Sequence, residues 1–186
     1  MIDFLNREDA VLVVIDIQER LVGSIDPELY RVALANTRIL IEGADALGVP
    51  ILVTEQYPKG LGPTVPEVGG WLEGKDAVRI EKKSFSCARD EAFLAALAAK
   101  GRRQAILAGM ETHVCVFQTA VDLIRGGYSV FVVDDAVSSR TRHNYASGLQ
   151  AMNRAGATVY NTETALFSML KVAGTPEFKR ISALLK

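Results

Sequence analysis

A cysteine at the junction of a strand and a helix is the residue of this sequence best placed to do chemistry. Cys115 follows the aliphatic run Arg103–Ala108, which predicts a buried parallel strand, and Gly109 allows a sharp exit from it. The residues from Val116 to Gly126 carry one apolar stripe and predict a helix. A thiol in the first turn of that helix faces free backbone N–H groups and the positive end of the helix dipole. We therefore expect Cys115 to be a nucleophile with a lowered pKa.

Cysteines in protein cores are more often small hydrophobes than nucleophiles, so this interpretation needs a base and a cation nearby. An aspartate and two lysines are candidates. Asp16 ends the aliphatic run at residues 10–15, while Lys82 and Lys83 follow the short apolar run at residues 77–80. A partly desolvated carboxylate acts as a general base toward a thiol, and a cation beside it lowers the thiol pKa. Spacing does not choose between the two lysines, and the alternative role of Asp16 is to cap a helix.

The arrangement of predicted elements decides whether these residues meet. Six apolar runs alternate with helical patterns, which is typical of a three-layer α/β/α, Rossmann-like, doubly wound parallel six-stranded sheet in the order 3-2-1-4-5-6. In that order the ligand crevice lies between the first and fourth strands, so Asp16 and Cys115 are predicted neighbours. The predicted strands are residues 10–15, 49–54, 77–80, 103–108, 128–133 and 157–160, and the predicted helices are 26–47, 90–100, 116–126, 142–155 and one or two beyond 162.

Several further residues follow the carboxyl ends of the predicted strands. Gln18, Tyr57 and Phe85 are predicted to line the pocket, with ordinary loop packing as the alternative. The glycine- and proline-rich residues 55–74 predict a long ordered loop, in which Trp71 belongs either to a lid or to a subunit interface. Arg140 either binds an anionic substrate group or belongs to the cap of the next helix.

Length and composition bound the class of protein. A chain of 186 residues with 49% hydrophobic content suits one domain over residues 1–186. The formal net charge of -1 favours a small-molecule substrate and gives no case for nucleic acid or a membrane surface as partner. The start, Met1–Asp9, lacks the pattern of a signal peptide, so we expect a cytoplasmic protein. Its two cysteines, Cys87 and Cys115, make no disulfide framework, and we interpret Cys87 as a packing residue.

Other chemistries have weaker support in the sequence. His113 lies two residues before Cys115 and leaves a papain-like pair as an alternative, whereas His143 opens a later helix. Two separated histidines do not make a metal-ligand set, so we expect no metal. No Gly-x-Gly-x-x-Gly follows the first strand, and we expect no cofactor.

Four motifs in order resemble the isochorismatase-like cysteine hydrolases over essentially the whole chain. They are Asp16-x-Gln18, Lys82-x-x-Phe85-Ser86, Gly109-x-x-Thr112-x-x-Cys115-Val116 and the loop Thr54–Glu67, which resembles the isochorismatase-domain-containing subgroup.

The resemblance implies a catalytic triad of Asp16, Lys82 and Cys115. It also implies a cis peptide between Met110 and Glu111, an oxyanion hole formed by the backbone N–H groups of Glu111 and Cys115, and a homo-oligomer. Two features depart from family patterns. Glu111 stands where amidase members carry a small residue, and Gln56–Lys59 replaces the metal-binding cluster of nicotinamidases.

The expected activity is cofactor-independent hydrolysis of a C–N bond in a small amide, through a thioester on Cys115. Family members that hydrolyse vinyl ethers need no thiol, so Cys115 favours acyl transfer, and vinyl-ether hydrolysis stays an alternative. The second alternative is a thiol-based redox sensor or a binding domain without enzymatic activity.

Overall fold

The residues Ala10–Ile15 form the first central strand, β1, because all six side chains are apolar and buried. In the computed structural model, which describes residues 4–186, this strand lies in the middle of a six-stranded sheet. The other strands are β2 Ile51–Gln56, β3 Ala77–Lys82, β4 Gln104–Met110, β5 Ser129–Ser138 and β6 Thr158–Tyr160. All neighbours pair in parallel in the order β3-β2-β1-β4-β5-β6, which confirms the predicted topology.

Helices cover both faces of the sheet, and the side chains of β1 alternate between two cores. The helices are α1 Glu19–Val22, α2 Pro27–Leu47, α3 Pro58–Leu61, α4 Pro66–Trp71, α5 Glu91–Ala99, α6 Phe117–Arg125, α7 Arg142–Arg154, α8 Thr162–Leu170 and α9 Pro176–Leu184. Leu12 and Val14 pack on the side of α2 and the C-terminal helices α8 and α9. Val11, Val13 and Ile15 pack on the side of α5, α6 and α7.

The prediction of one long loop over residues 55–74 is wrong. The segment begins as the end of β2 and then contains the short helices α3 and α4. Pro58 and Pro66 each stand at the start of one of these helices, where a fixed φ and a missing N–H are tolerated. The same prolines that suggest a loop in the sequence therefore begin helices in the structure.

Several strands extend further toward the site than their apolar runs indicate. β2 continues to Gln56, β3 to Lys82 and β4 to Met110, while β5 continues to Ser138. Ladder hydrogen bonds, which do not depend on side-chain polarity, extend each strand past its apolar residues. The polar ends of the strands therefore stand at fixed positions along one edge of the sheet.

The first three residues, Met1–Asp3, lie outside the described part of the chain. The interpretation of Met1–Asp9 as lacking the pattern of a signal peptide therefore falls partly on residues that the structure does not describe. Among residues 4–186, no helix combines the length and the apolarity needed to cross a membrane.

Gly109 lets β4 approach β1 beside the crevice. Its φ is +111°, and a Cβ atom there would lie 2.1 Å from the carbonyl oxygen of Ile15. Backbone atoms cannot move out of the way as a flexible side chain does, so only glycine fits. Gly109 therefore fixes the spacing of β1 and β4, the two strands that lead to Asp16 and to Cys115.

We predict that Gly109→Ala destabilises the protein by about 4 kcal/mol or more, because the new methyl group collides with backbone and the φ value is unfavourable. Urea denaturation followed by circular dichroism measures the change. Gly23→Ala is the matched control, since nothing lies within 4 Å of a Cβ at Gly23 and its φ is -63°. Equal unfolding midpoints for the two variants would contradict the packing argument.

Candidate active site

A buried ion pair joins the ends of β1 and β3 across β2. The Nζ atom of Lys82 lies 2.6 Å from Oδ2 of Asp16, and both side chains are 0% exposed. Asp16 adopts a left-handed φ of 52° directly after β1, and Lys82 is the last residue of β3. The register places Ile15 beside Thr54 and Gln56 beside Lys82, so β2 sets the distance between the two charges.

The protons of the Lys82 ammonium group all have hydrogen-bond acceptors within the protein. Besides Asp16, it lies within hydrogen-bond distance of Gln56 Oε1 at 2.9 Å and the carbonyl oxygens of Ser84 and Phe85 at 3.2 and 3.1 Å. An ammonium has three protons, and four acceptors surround it here. Lys82 therefore acts on a neighbour through its charge, without a spare proton to donate.

The surroundings of Lys82 keep it protonated. Burial alone lowers the pKa of Lys82, but the Asp16 carboxylate, aided by Cys87 and Cys115, outweighs burial and raises that pKa above its usual value. Lys83, the other candidate from the sequence, is exposed, and its backbone carbonyl accepts a hydrogen bond from Gln56. The geometry thus brings Lys82, and not Lys83, to Asp16.

Two residues of β2 to which sequence reasoning gave no role contact this ion pair. The hydroxyl of Thr54 donates to Oδ1 of Asp16 at 2.7 Å, and Gln56 accepts from Lys82 while donating to the carbonyl of Lys83. The sequence does carry a signal for them, because three polar residues, Thr54, Glu55 and Gln56, end an otherwise apolar buried strand.

Cys115 lies next to the carboxylate of Asp16. It belongs to a single π-helical turn, Thr112–Val116, which precedes α6, and only 6% of the residue is exposed. Besides burial, the negative charge of Asp16 raises the pKa of the Cys115 thiol, so the two side chains interact electrostatically. Asp16 therefore hydrogen-bonds with the ammonium of Lys82 and the hydroxyl of Thr54 and acts electrostatically on the thiol of Cys115. The structure thus brings together the three residues that were grouped from the sequence.

The prediction of a lowered thiol pKa is wrong. Burial raises the pKa of Cys115, the negative charge of Asp16 raises it further, and the positive charge of Lys82 acts in the opposite direction without prevailing. The physical reason is that burial disfavours the charged thiolate, while Asp16 and Lys82 form a neutral pair that offers it little net attraction. The resting thiol is therefore protonated at neutral pH.

Glu111 carries an ion pair at the entrance to the π-helical turn. The Met110–Glu111 peptide bond is cis, and the buried carboxylate of Glu111 accepts a hydrogen bond from Nε of Arg140 at 2.8 Å. The hydroxyl of Thr141, not Arg140, caps α7 by accepting from the N–H of Asn144. Arg140 is thus a partner of Glu111, which was not foreseen from the sequence.

The three residues predicted to line the pocket differ in their surroundings. Gln18 is buried, and its amide bonds the backbone of Gln56 and of Gly62, so it fastens the segment after β2. Tyr57 and Phe85 are 52% and 53% exposed near Lys82. Tyr57 lines an open cavity of about 680 Å³ to which Lys82 contributes, but Asp16 and Cys115 do not. This cavity lies beside the ion pair.

Three further residues that were considered from the sequence, His113, Trp71 and Cys87, have the following surroundings. His113 contacts Ser139, with 3.2 Å between Nδ1 and Oγ, and no bond from it to Cys115 is found in residues 4–186. Trp71 packs against the core beside α2, which leaves both of its proposed roles open. Cys87 is fully buried, as expected of a packing residue, and its thiol also lies 3.7 Å from the hydroxyl of Thr54. Within the described residues no cluster of His, Cys, Asp or Glu is suited to a metal ion.

Comparisons with known proteins assign the chain to a family. The Isochorismatase domain model matches residues 10–164, and the chain therefore belongs to the isochorismatase-like hydrolase family. It is 40% identical over 179 residues to the secreted isochorismatase effector Isc1 of Phytophthora sojae, covering 95% of this chain and 84% of that protein. It is 36% identical over 183 residues to isochorismatase domain-containing protein 2 of Xenopus laevis, covering 97% and 85%.

Solved structures agree with this assignment. The MAR1 ribonuclease of Caenorhabditis elegans superposes with a TM-score of 0.91 at 34% identity, covering 98% of this chain and 92% of that one. The YcaC gene product of Escherichia coli, described as an octameric hydrolase of unknown specificity, superposes with a TM-score of 0.83 at 24% identity, covering 100% and 88%. The second likeness concerns the fold alone.

We predict that Lys82→Met destabilises the protein by about 3 to 5 kcal/mol, because it leaves the carboxylate of Asp16 buried without its counter-charge. Chemical denaturation measures the loss. In the double variant Asp16→Asn, Lys82→Met both charges are gone, so it should be more stable than Lys82→Met alone. A single variant as stable as wild type would show that the pair is not buried as described.

Replacing the carboxylate should make the thiol more acidic. We predict that Asp16→Asn lowers the pKa of Cys115 by about one to three units, because a charge that raises it is removed while Lys82 remains. Thiolate absorbance at 240 nm, followed as a function of pH, gives the value. Asp122→Asn removes a carboxylate that pairs with Arg89 and serves as control. A rise of the Cys115 pKa in Asp16→Asn would refute the assigned electrostatics.

Proposed function

We propose that this protein is a cysteine-dependent hydrolase that cleaves a C–N bond of a small amide through a thioester intermediate. The observation that carries the proposal is the position of Asp16, which hydrogen-bonds with the ammonium of Lys82 and acts electrostatically on the thiol of Cys115. A carboxylate beside a protonated thiol is a base in contact with its proton. The neighbouring cation compensates the charge that forms on sulfur.

The acylation step begins with proton transfer inside the site. Asp16 takes the thiol proton, and the electron pair left on the sulfur of Cys115 attacks the amide carbonyl carbon. The site keeps its net charge, because one negative charge moves from the carboxylate to the sulfur while Lys82 stays positive. The proposed oxyanion hole consists of the backbone N–H groups of Glu111, which precedes the π-helical turn, and of Cys115, which lies within it.

The intermediate collapses when the C–N bond breaks. Protonated Asp16 gives its proton to the leaving amine, which leaves an acyl group in thioester linkage to Cys115. Water then attacks the thioester with Asp16 again as base, and the thiol is regenerated as the acid product leaves. In this scheme Lys82 holds a constant positive charge beside each anionic state.

The proposed substrate site lies on the open side of these residues. Tyr57 and Phe85 expose their rings near Lys82 and are proposed to contact the substrate. Gln18 was also proposed to do so, but its amide bonds backbone atoms, which supports a role in holding the segment after β2. No cofactor enters the proposed steps.

The alternative functions are distinguished by the thiol. A peroxide sensor needs a thiolate at rest, whereas burial and the charge of Asp16 raise the pKa of the Cys115 thiol. A thiol that keeps its proton needs a base to react, which favours the hydrolase. Hydrolysis of a vinyl ether would use Asp16 and Lys82 without the sulfur. Activity that survives removal of the sulfur would favour that alternative.

Nucleic acid is a third possibility, because the Caenorhabditis elegans relative is called a ribonuclease. A formal net charge of -1 gives this chain no general attraction to a polyanion. We therefore keep the small-molecule substrate as the proposal. Incubation with labelled RNA, with release of fragments as readout, is the direct comparison.

Assembly, domain organisation and location also remain proposals. We propose that residues 1–186 act as one domain and form a homo-oligomer, which the description of the Escherichia coli protein as octameric supports. Light scattering on the purified chain gives the copy number. The cytoplasm stays the proposed location, and fractionation of cells is the appropriate test because the Phytophthora sojae relative is named a secreted effector.

We predict that Cys115→Ala abolishes ammonia release across a panel of small primary amides, because no thioester can form. In the wild-type protein, mass spectrometry of a quenched reaction should show an acyl adduct on the peptide that contains Cys115. The peptide that contains Cys87 should carry none, which makes it the internal control. Full activity of Cys115→Ala on an amide that the wild type cleaves would refute the thioester route.

A further inference from the structure

A buried threonine holds the base of the proposed reaction. Thr54 is 0% exposed, and its hydroxyl lies 2.7 Å from Oδ1 of Asp16. The backbone N–H of Asp16 donates to the carbonyl oxygen of Thr54 at 3.1 Å, so main chain and side chain of one residue both bind the aspartate. The hydroxyl and Lys82 occupy the two different carboxylate oxygens.

The second cysteine determines which way the hydroxyl of Thr54 points. The sulfur of Cys87 lies 3.7 Å from this hydroxyl, and burial raises the pKa of Cys87 to about 11. Its thiol therefore keeps its proton and donates toward Thr54. A hydroxyl has one proton and accepts through its lone pairs, so Thr54 accepts from Cys87 and gives its own proton to Asp16.

The position of Cys87 is itself fixed. It begins a short 3₁₀ turn, Cys87–Arg89, and its backbone N–H donates to the hydroxyl of Thr119 on α6 at 2.9 Å. Three elements therefore meet at the far side of the carboxylate: the end of β2, this turn and α6. The hydrogen-bond chain from Cys87 through Thr54 to Asp16 is built into the core, where all three residues are buried.

We propose that Thr54 is a positioning residue that holds the carboxylate of Asp16 through a donated hydrogen bond and favours its charged form. The inference rests on the proposed role of Asp16 as base toward Cys115. A hydrogen bond donated to a carboxylate favours its charged form. Thr54 thus keeps the proton on sulfur in the resting protein and makes the protonated aspartate a stronger acid toward the leaving amine.

The groups that face Asp16 come from four elements. Lys82 approaches from β3, Cys115 from the π-helical turn and Thr54 from β2, and Cys87 acts on the carboxylate through Thr54. Proton transfer breaks the S–H bond of Cys115 and forms an O–H bond on Asp16. The electron pair of the S–H bond stays on sulfur, so the total charge of these groups does not change.

The test uses iodoacetamide, which alkylates the thiolate and requires no knowledge of the substrate. We predict that Thr54→Val raises the alkylation rate of Cys115 at neutral pH about tenfold, because a more basic Asp16 holds the thiol proton more often. At low pH, where the alkylation rate of Cys115 still rises with pH, the rate should stay unchanged. The pH above which the rate levels off should be about one unit higher than in the wild type. Thr54→Ser keeps the hydroxyl and should restore the wild-type profile.

Thr37→Val is the matched control, since the hydroxyl of Thr37 is buried without a partner in the described part of the chain. It should leave the alkylation profile unchanged. A Thr54→Val profile identical to wild type, or a slower reaction, overturns the proposal, as does failure of Thr54→Ser to restore it. Alkylation is read by peptide mass spectrometry on variants that show wild-type circular dichroism.

The outcome is separable from that of the proposed hydrolysis. If no amide is cleaved but Thr54→Val still raises the alkylation rate, the hydrolase proposal fails and the role of Thr54 stands. If amides are cleaved and Thr54→Val leaves the profile unchanged, the role of Thr54 fails alone.

Discussion

The buried ion pair between Asp16 and Lys82 is the constraint on which the rest of the site depends. Two charges without solvent exposure are tolerated only when each is compensated and hydrogen-bonded. The structure meets this condition with Thr54 and Gln56 from the intervening strand and with two carbonyl oxygens after β3. The parallel register of β1, β2 and β3 is what brings these partners to one place.

The neutrality of this pair explains the chemistry proposed for the thiol. A cation alone beside Cys115 would stabilise a permanent thiolate, whereas the pair leaves the thiol protonated and shielded. Transfer of the proton to Asp16 changes the pair into a cation facing a thiolate. The nucleophile is therefore formed by a proton shift within the site and needs no loss of a proton to solvent.

Much of this arrangement follows from the sequence. Unbroken apolar runs predict the buried strands, and the alternation with helices predicts a strand order that makes Asp16 and Cys115 neighbours. The choice between Lys82 and Lys83 was also accessible, because Ile80 and Lys82 share one face of β3 while Glu81 points away. The spacing of the two lysines after the apolar run, considered without the alternation of side chains along β3, did not decide between Lys82 and Lys83.

Other features depend on tertiary structure and escaped prediction. The thiol pKa is set by burial and by the balance of two opposite charges, which no local pattern records, and the helix dipole does not outweigh them. The helices at Pro58 and Pro66 are stabilised within a segment whose composition is typical of a loop. The pairing of Glu111 with Arg140 joins residues from two different strand ends.

The protonation state of Cys115 at rest is the most direct test of this account. Carbon-13 NMR of protein labelled at the cysteine β-carbons reports thiol and thiolate separately, with Cys87 as a reference inside the same molecule. The account predicts a thiol signal for Cys115 at neutral pH that persists above the pH at which free cysteine ionises, at about 8.5. A thiolate signal for Cys115 at neutral pH in the wild-type protein would contradict it.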